Sequence, residues 1–427
     1  MSMVSKNKFQ IIIIGLNIFS FLFCPIILYA SAIEDQNIKI SGSESWYLTE
    51  PGCSRDIITD SNNDIITLCW EDYFDSQDRL FSNIIIYKYN EFGEKLWQVK
   101  WGEHGNAFPI AITVDSDDNI YAVGSFGESF IEYDVILLKY SKNGNFVWSR
   151  MWGVAQRDQS RDVAVDSANS VYITGDTYNS SEGKNVMFLV KFDTYGEFKW
   201  SRFNSEPESG RAITIDSYNR ICIGLSQTDE TCLIIYDKFG NFLNKTNWYR
   251  DSGGHYMQMS KDLNDNVYLA SRETVKKFNI NNELLLNLSI SYLYFSDVAV
   301  DTQENIYIAS NAINYEEMNF DYCITVYDYS GNFDYNFTCG TPGFDRLTSI
   351  TIDNFNNLYL LADNWSTIVL VKNPSPGEKY YNNQEEEGSS FNPTISSIHN
   401  VFFVTSIIIS IFIIVVFLFK GKRRISL

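Results

Sequence analysis

Residues 112–124 read ITVDSDDNIYAVG. β-Branched and small side chains alternate up to Asp115, an Asx-rich turn follows, and an apolar run carrying Tyr121 resumes. Alternation on both sides of a polar turn predicts a β-hairpin, because strand side chains point to opposite faces with period two and Asx side chains hydrogen-bond their own backbone. The pattern returns as AVDSANSVYITG at 164–175 and AVDTQENIYIAS at 299–310. Seven such anchors, Asp60, Asp115, Asp166, Asp216, Asp262, Asp301 and Asp353, are spaced by 55, 51, 50, 46, 39 and 52 residues. A period near fifty with strand content predicts propeller blades.

The columns around the anchor keep one chemistry across the copies. Three residues before it stand Ile57, Ile112, Val163, Ile213, Met259, Val298 and Ile350; two before it stand the mostly small Ile58, Thr113, Ala164, Thr214, Ser260, Ala299 and Thr351. One apolar and one small face suit a strand crowded around an axis. Tyr121, Tyr172, Tyr268, Tyr307 and Tyr359 lie six residues past their anchors, with Ile66 and Cys222 in the other two copies. A third apolar run follows, then a Gly turn and a Trp at fixed spacing, as in Gly93 to Trp97, Gly144 to Trp148 and Gly196 to Trp200. Four antiparallel strands make one blade. The seventh repeat stops at Asn373, before Pro374 and Pro376, whereas SESWYLTE at 43–50 is an orphan fourth strand. The expected fold is all-β: a seven-bladed β-propeller over 43–373 whose N-terminal strand closes the last blade and removes the sheet edge.

These residues resemble the seven-bladed β-propeller repeat family, in which a segment like VDSxGNIYVTG precedes one like FLVKYDxxGxxxWSRxWG. The nearest copies are DNIYAVG with VILLKYSKNGNFVWSRMWG and SVYITG with MFLVKFDTYGEFKWSRF; the fifth copy is short and lacks the Gly and Trp. The resemblance implies the fold and an extracytoplasmic setting. It implies no activity, since the family is defined by its repeats.

The two ends predict the compartment. Lys6 and Lys8, an apolar stretch from Phe9 to Tyr29 and the small residues Ala30, Ser31 and Ala32 predict a signal peptide over 1–32, or a signal anchor if uncleaved. The polar segment 374–399 reads as a flexible stalk. The apolar segment 400–419 predicts a transmembrane helix, and Lys420, Lys422, Arg423 and Arg424 within 420–427 place that short basic tail in the cytoplasm. The expected protein is a single-pass cell-membrane protein with its propeller outside.

Cysteine placement fits an oxidising compartment. Antiparallel hairpins set Cys53 near Cys69, Cys222 near Cys232 and Cys323 near Cys339, which predicts three disulfides within blades; buried thiols are the alternative. Asn179, Asn244, Asn287, Asn336 and Asn364 begin glycosylation sequons, and three of these fall on expected outer strands.

The formal charge is −20, and setting aside Lys6, Lys8, Lys420, Lys422, Arg423 and Arg424 leaves −26. Phosphates reward basic surfaces, so nucleic acid is excluded as a partner. Asp115, Asp117, Asp118 and Asn119 are the candidate cation cluster, but the Gly and distal Glu of a calcium loop are missing and turn capping uses the same residues. Around the channel mouth, four and five residues before the anchors, stand Arg55, Asp56, Arg161, Asp162, Arg211, Gln258 and Asp297, a polar ring suited either to a small ligand, glycan or peptide or to pairing between blades. No cofactor is expected. His104 and His255 are the propeller's histidines and fall in separate copies, too few for a three-His metal site. No nucleophile elbow, phosphate loop or HExxH pattern occurs. The Gly-to-Trp spacing is similar to that of quinoprotein propellers, which have eight blades; here Trp97, Trp148 and Trp200 are expected to pack between outer strands. The leading expectation is a surface platform binding protein or carbohydrate, or serving adhesion. The alternatives are an extracytoplasmic enzyme, quinoprotein-like or lyase-like, acting at the channel mouth, and a structural spacer of the cell envelope.

Overall fold

In a computed structural model of the chain, residues 38–39 and 45–373 are described apart from 75–79, 103–104, 128–131, 156, 181–182, 205–208, 227–229, 250–256, 291–293, 315–318 and 341–344. The expected leader, stalk, membrane span and basic tail, with His104 and His255, lie outside the described residues.

The seven anchors fold alike. Each Asp is buried, and its Oδ1 accepts backbone N–H bonds from residues two and four places on: Asn62 and Asp64 on Asp60 (2.9 and 3.0 Å), Phe355 and Asn357 on Asp353 (2.9 and 2.8 Å). The same pair forms on Asp115, Asp166, Asp216, Asp262 and Asp301. This Asx turn puts its third following residue in the left-handed region at Asn63, Asp118, Asn169, Asn219, Asp265, Glu304 and Asn356. Asn and Asp tolerate that region best, and six of the seven are Asn or Asp.

The second anchor oxygen explains the tyrosine column. Oδ2 accepts the hydroxyl of Tyr121 (3.0 Å), Tyr172 (2.8 Å), Tyr268 (3.1 Å) and Tyr359 (3.0 Å), and of Tyr307 at 3.5 Å. Where Tyr is missing a cation replaces it: Lys88 Nζ lies 2.6 Å from Asp60 Oδ2, and Arg220 Nε lies 2.6 Å from Asp216 Oδ2. A buried carboxylate is costly unless hydrogen-bonded or paired, so each copy supplies a hydroxyl, a cation or, in blades two, three and five, both.

Seven sheets result, six of four strands and one of five. The first comprises Cys53–Thr59, Ile65–Phe74, Leu80–Tyr89 and Lys95–Trp101 in that order from the axis outward. The seventh comprises Arg346–Ile352, Leu358–Asp363 and Thr367–Lys372, and its fourth strand is the N-terminal Trp46–Pro51, with Leu48 opposite Leu370. Ile38–Lys39 adds a short fifth strand. The innermost strands touch their neighbours in a closed ring. Blade five, with strands Met257–Lys261, Val267–Ser271, Thr274–Phe278 and Leu284–Ser289, is complete despite its weak sequence pattern.

Neighbouring blades are joined by apolar faces, as where Tyr359, Leu361 and Leu370 of the seventh pack with Ile57, Ile65 and Ile85 of the first. The outer edge uses the Trp column. Trp46, Trp97, Trp148 and Trp200 each lie on the turn glycine of the next blade, Gly93, Gly144, Gly196 and Gly240, where a Cβ would sit 2.8–3.0 Å from the indole. The indole N–H of Trp46 and Trp97 donates to Glu91 O and Lys142 O in those turns. In blade five Leu286 takes the Trp position, against Gly331.

The expected disulfides do not form: none of Cys53, Cys69, Cys222, Cys232, Cys323 and Cys339 is joined to another. Register is the reason. Ser54, not Cys53, stands opposite Cys69; Leu225 stands opposite Cys232, three places from Cys222; and Tyr322, not Cys323, stands opposite Cys339. A one-residue offset sends side chains to opposite faces of the sheet. In blade one the hairpin is symmetric about Asn62, not Ser61, and a bulge between Ser54 and Asp56 then steps the register by one.

Of the sequons, Asn244, Asn287 and Asn336 lie exposed on the outermost strands of blades four, five and six, and Asn364 is exposed in a turn. Asn179 ends the second strand of blade three.

Candidate functional site

The channel-mouth residues owe their positions to a repeated bulge. In blades one, three and four the extra residue is Arg55, Arg161 and Arg211, so that the register steps from Ser54 to Asp56, from Ser160 to Asp162 and from Gly210 to Ala212. Similar steps precede Ala111, Asp297 and Ser349, whereas Gln258 of blade five sits in a regular ladder. Bulges bend a strand and re-aim side chains.

Here they aim three acids along the ring. Asp56 accepts the N–H of Ile57 in its own strand (2.9 Å) and of Ile112 in the next blade (2.9 Å). Asp162 does the same with Val163 (2.8 Å) and Ile213 (2.7 Å), and Asp297 with Val298 (2.8 Å) and Ile350 (3.0 Å). Ser349 Oγ lies 3.0 Å from Asp56 Oδ1 and 2.6 Å from Asp297 Oδ2. A hydroxyl has one proton to give, so both contacts are hydrogen bonds only when one carboxyl is protonated. Burial raises all three acids; the charges of Asp56 and Asp297 add to it at Asp162, pushed up to about 8, and that of Asp56 adds to it at Asp297, pushed up to about 7. Their electrostatic coupling joins blades one, three and six into an acidic belt.

The arginines are directed elsewhere. Arg161 Nε binds Asp176 Oδ1 (2.9 Å) and its terminal nitrogen binds Gln159 Oε1 (2.7 Å), while Arg55 Nε donates to Ile110 O of the next blade (3.2 Å). Arg211 and Gln258 are half-buried in the innermost strands of blades four and five. The structure thus brings Asp56, Asp162 and Asp297 together and turns Arg161 onto Asp176.

A further column went unread in the sequence. Ten residues past their anchors, Asp176, Asn311 and Asp363 reach the next blade's innermost strand. Asp176 accepts Ser209 Oγ (2.5 Å), Asn311 Oδ1 accepts Leu347 N–H (2.7 Å), and Asp363 Oδ2 accepts Ser54 N–H (2.7 Å) and Oγ (2.6 Å). Arg346 closes on Asp363 at 2.7 Å and lies over Trp365, 3.9 Å from the ring centroid. The column holds Trp70, Ser125, Ser226 and Arg272 in the other blades, so its identity varies too much to stand out.

The opposite end of the ring carries the hairpin turns, and there the candidate cation cluster has other employment. Asp115 caps its own turn, Asp118 accepts Ser61 N–H (3.0 Å) and Oγ (2.8 Å) from blade one, and Asp117 accepts Asn169 Nδ2 (3.0 Å) of blade three. Asn119 donates back to Asp115 (3.0 Å). Analogous turn-to-turn bonds run from Ser167 to Asn219, Ser217 to Asp265, Asn264 to Glu304, Thr302 to Asn356 and Asn354 to Asn63, which closes the circle. Third-strand lysines reach over the tyrosines to the next blade: Lys139 lies 4.7 Å from the Tyr121 ring centroid and donates to Thr194 O (3.1 Å). Lys191 reaches Lys238 O and Lys372 reaches Glu91 O in the same way, and Lys88, with Ile66 in place of the tyrosine, reaches Lys142 O.

On these turns stand exposed apolar side chains. Phe92, Tyr195, Phe239 and Tyr329 tip the outer turns, and Tyr218, Leu263 and Phe355 tip the inner ones, each 58–81% exposed. They occupy every blade but the second.

Comparison with known proteins agrees with the architecture. Residues 147–181 match the family model described as Beta-propeller repeat. The chain is similar to an uncharacterized WD repeat-containing protein of Acanthamoeba polyphaga mimivirus, 27% identical over 135 residues; the match spans 25% of this chain and only 10% of that protein. Among solved structures, U3-55K aligns with a TM-score of 0.53 at 10% identity, covering 80% of this chain and 98% of the other. The Neurospora crassa Pan2 WD40 domain aligns with a TM-score of 0.49 at 12% identity over 76% of this chain and 90% of its own. At such identities the likeness is one of fold.

Proposed function

We propose that this seven-bladed β-propeller repeat protein is a binding platform, and that a protein partner docks on its turn face. The observation that carries the reading is the set Phe92, Tyr195, Tyr218, Phe239, Leu263, Tyr329 and Phe355, large apolar side chains held in solvent on turns that are themselves fixed by Asx bonds. Aromatic groups on a preorganised frame lose little entropy on binding and are the usual anchors of protein interfaces. The mouth acids, by contrast, already hold N–H groups of two blades each, which favours a scaffold role over catalysis.

The setting we propose is extracytoplasmic, with a leader over 1–32 and a single span over 400–419; the apolar run and the basic residues that follow it support that orientation.

The test is binding of purified surface proteins and of glycans to the full chain displayed on cells, beside the triple variant Tyr195→Ser, Phe239→Ser, Phe355→Ser. A protein bound by the wild type and lost by the variant, at unchanged display level, supports the reading. Equal binding by both, or binding of glycans alone, overturns it.

A further inference from the structure

Three blade junctions on the mouth face share an arrangement that neither the turns nor the acidic belt uses. A glycine ends one blade's outermost strand, an Asx residue lies near the start of that blade's third strand, and a second Asx lies at the start of the next innermost strand. Between blades two and three these are Gly153, Asp134 and Asp158; between six and seven, Gly340, Asp321 and Asp345; between one and two, Gly102, Asn83 and Asn106.

At the junction of blades two and three two carboxylates close over the glycine. A Cβ on Gly153 would fall 2.2 Å from Asp134 Oδ1 and 2.9 Å from Asp158 Oδ2. Asp158 is wholly buried. Its Oδ2 accepts the N–H groups of Val154 (2.9 Å) and Ala155 (3.0 Å), but its Oδ1 is buried with no hydrogen-bond partner among the described residues. Thr177, paired with Asp158 across the ladder, has a buried hydroxyl in the same condition. Asp134 adds a second carboxylate, and burial and then the Asp158 charge push its carboxyl above the ordinary range.

An unpartnered carboxylate oxygen in the interior costs more than the other contacts of its side chain return, so a proton, a water or a cation belongs there. The sister junctions help to choose. Between blades one and two the pair is neutral, and the orphaned atoms are the amide oxygens Asn83 Oδ1 and Asn106 Oδ1, an arrangement that a water can satisfy. Between blades six and seven Tyr322 lies beside Asp345, whose charge adds to burial in pushing the phenol well up. The residue in the Tyr322 position between blades two and three is Val135, which has no hydroxyl to offer. Two negative charges there face no donor of that kind.

We propose that Asp134, Asp158 and the Thr177 hydroxyl form a site for a hard divalent cation of the calcium class. The donors are all oxygen, as such ions require. Among the described residues no three His, Cys, Asp or Glu side chains converge to hold a metal, so waters complete the shell. Few charged ligands place the affinity in the weak range of extracellular calcium modules, about 10⁻⁴–10⁻³ M.

The experiment follows unfolding of the full chain in detergent, in EDTA and across a CaCl₂ titration, together with Tb³⁺ luminescence excited through tryptophan, since Trp152 adjoins Gly153. Wild type should gain several degrees in Tm by about 10 mM Ca²⁺, and Ca²⁺ should quench the Tb³⁺ signal by competition. Asp134→Asn and Asp158→Asn should each lose both effects while unfolding cooperatively in EDTA; should Asp158→Asn not fold, Asp134→Asn decides. Asp117→Asn, on the turn face, should keep both. The proposal is overturned if wild type shows no Ca²⁺-dependent shift, or if Asp134→Asn retains it.

Discussion

Replacing Lys88 by Met would test whether the buried cation substitutes for the missing tyrosine of blade one. Lys88 is almost fully buried, its Nζ lies 2.6 Å from Asp60 Oδ2 and 3.2 Å from Asp64 Oδ2, and no phenol stands behind it because Ile66 fills the tyrosine position. Met keeps the bulk and removes the charge, stranding a buried carboxylate oxygen. Breaking a buried pair from one side costs about 3–5 kcal/mol. At about 2 °C per kcal/mol, the low end of the scale because this chain is larger than those it describes, Tm should fall by roughly 6–10 °C. The repeat itself supplies the rescue. Ile66→Tyr installs the hydroxyl that Tyr121, Tyr172, Tyr268 and Tyr359 bring to the equivalent oxygen. A hydrogen bond to a charged group contributes about 1.5–3 kcal/mol, less some strain from the larger side chain, so the double variant should recover about 1–2 kcal/mol. Thermal and urea unfolding of Lys88→Met, Ile66→Tyr and the pair would read this as a double-mutant cycle. A loss below about 1 kcal/mol for Lys88→Met, or an Ile66→Tyr change that harms both backgrounds equally, would refute interchangeability.

The belt predicts pH dependence: Asp162 and Asp297, at about 8 and about 7 in the folded chain, bind protons more tightly folded than unfolded. Their stabilisation is whole below the unfolded carboxyl pKa of about 4 and is lost as pH rises through 7 and 8, so Tm should fall between pH 5 and 9 and Asp162→Asn should flatten the slope. Gly144→Ala sets a Cβ 2.8 Å from Trp97 at a φ of +78° and should cost about 2 kcal/mol or more in urea unfolding; a neutral result would exclude Trp docking as a blade-to-blade clamp. Maleimide labelling of the denatured, unreduced chain should find Cys53, Cys69, Cys222, Cys232, Cys323 and Cys339 all reactive, and a reductant-dependent gel shift would restore the disulfide reading.

What the sequence disclosed follows from where each partner lies. The anchor, its turn and the tyrosine six residues on are local in the chain, and local partners impose a column that seven copies repeat. Strand order and the N-terminal closure followed from counting fourth strands. The contacts that build the mouth are different: Asp176, Asn311 and Asp363 bond across to the next blade, 33 to 36 residues away or, for Asp363 and Ser54, from one end of the ring to the other. Such partners need only be complementary, so they leave no invariant column. Cys53 and Cys69 failed for a related reason. Their equidistance was counted about Ser61, whereas the hairpin is symmetric about Asn62, with Thr59 opposite Ile65; a regular ladder would set Arg55 opposite Cys69, and the bulge that re-aims Asp56 sets Ser54 there instead.

The acidity of the chain can now be divided. At −26 between the two basic ends, it suggested no more than a soluble surface. Yet the seven anchors, the belt acids, Asp176 and Asp363 are all held inside the ladder or against it, each accepting bonds of fixed direction. The links between blades among them must meet their acceptors after one step around the axis, which apolar packing alone does not demand. A ring with another blade number would turn Asp56 away from Ile112 and Asn63 away from Asn354, leaving buried carbonyl and carboxylate oxygens bare at a cost of about 1–3 kcal/mol each. Polar groups with this duty are poor places to look for recognition, because their hydrogen bonds are already spoken for. Among the described residues the features without such duty include the apolar turn tips and, of the buried polar atoms without a partner, one charged oxygen, that of Asp158. Recognition by this propeller is therefore read from those features, on opposite ends of the ring, and not from the charged pairs that first draw the eye in its sequence.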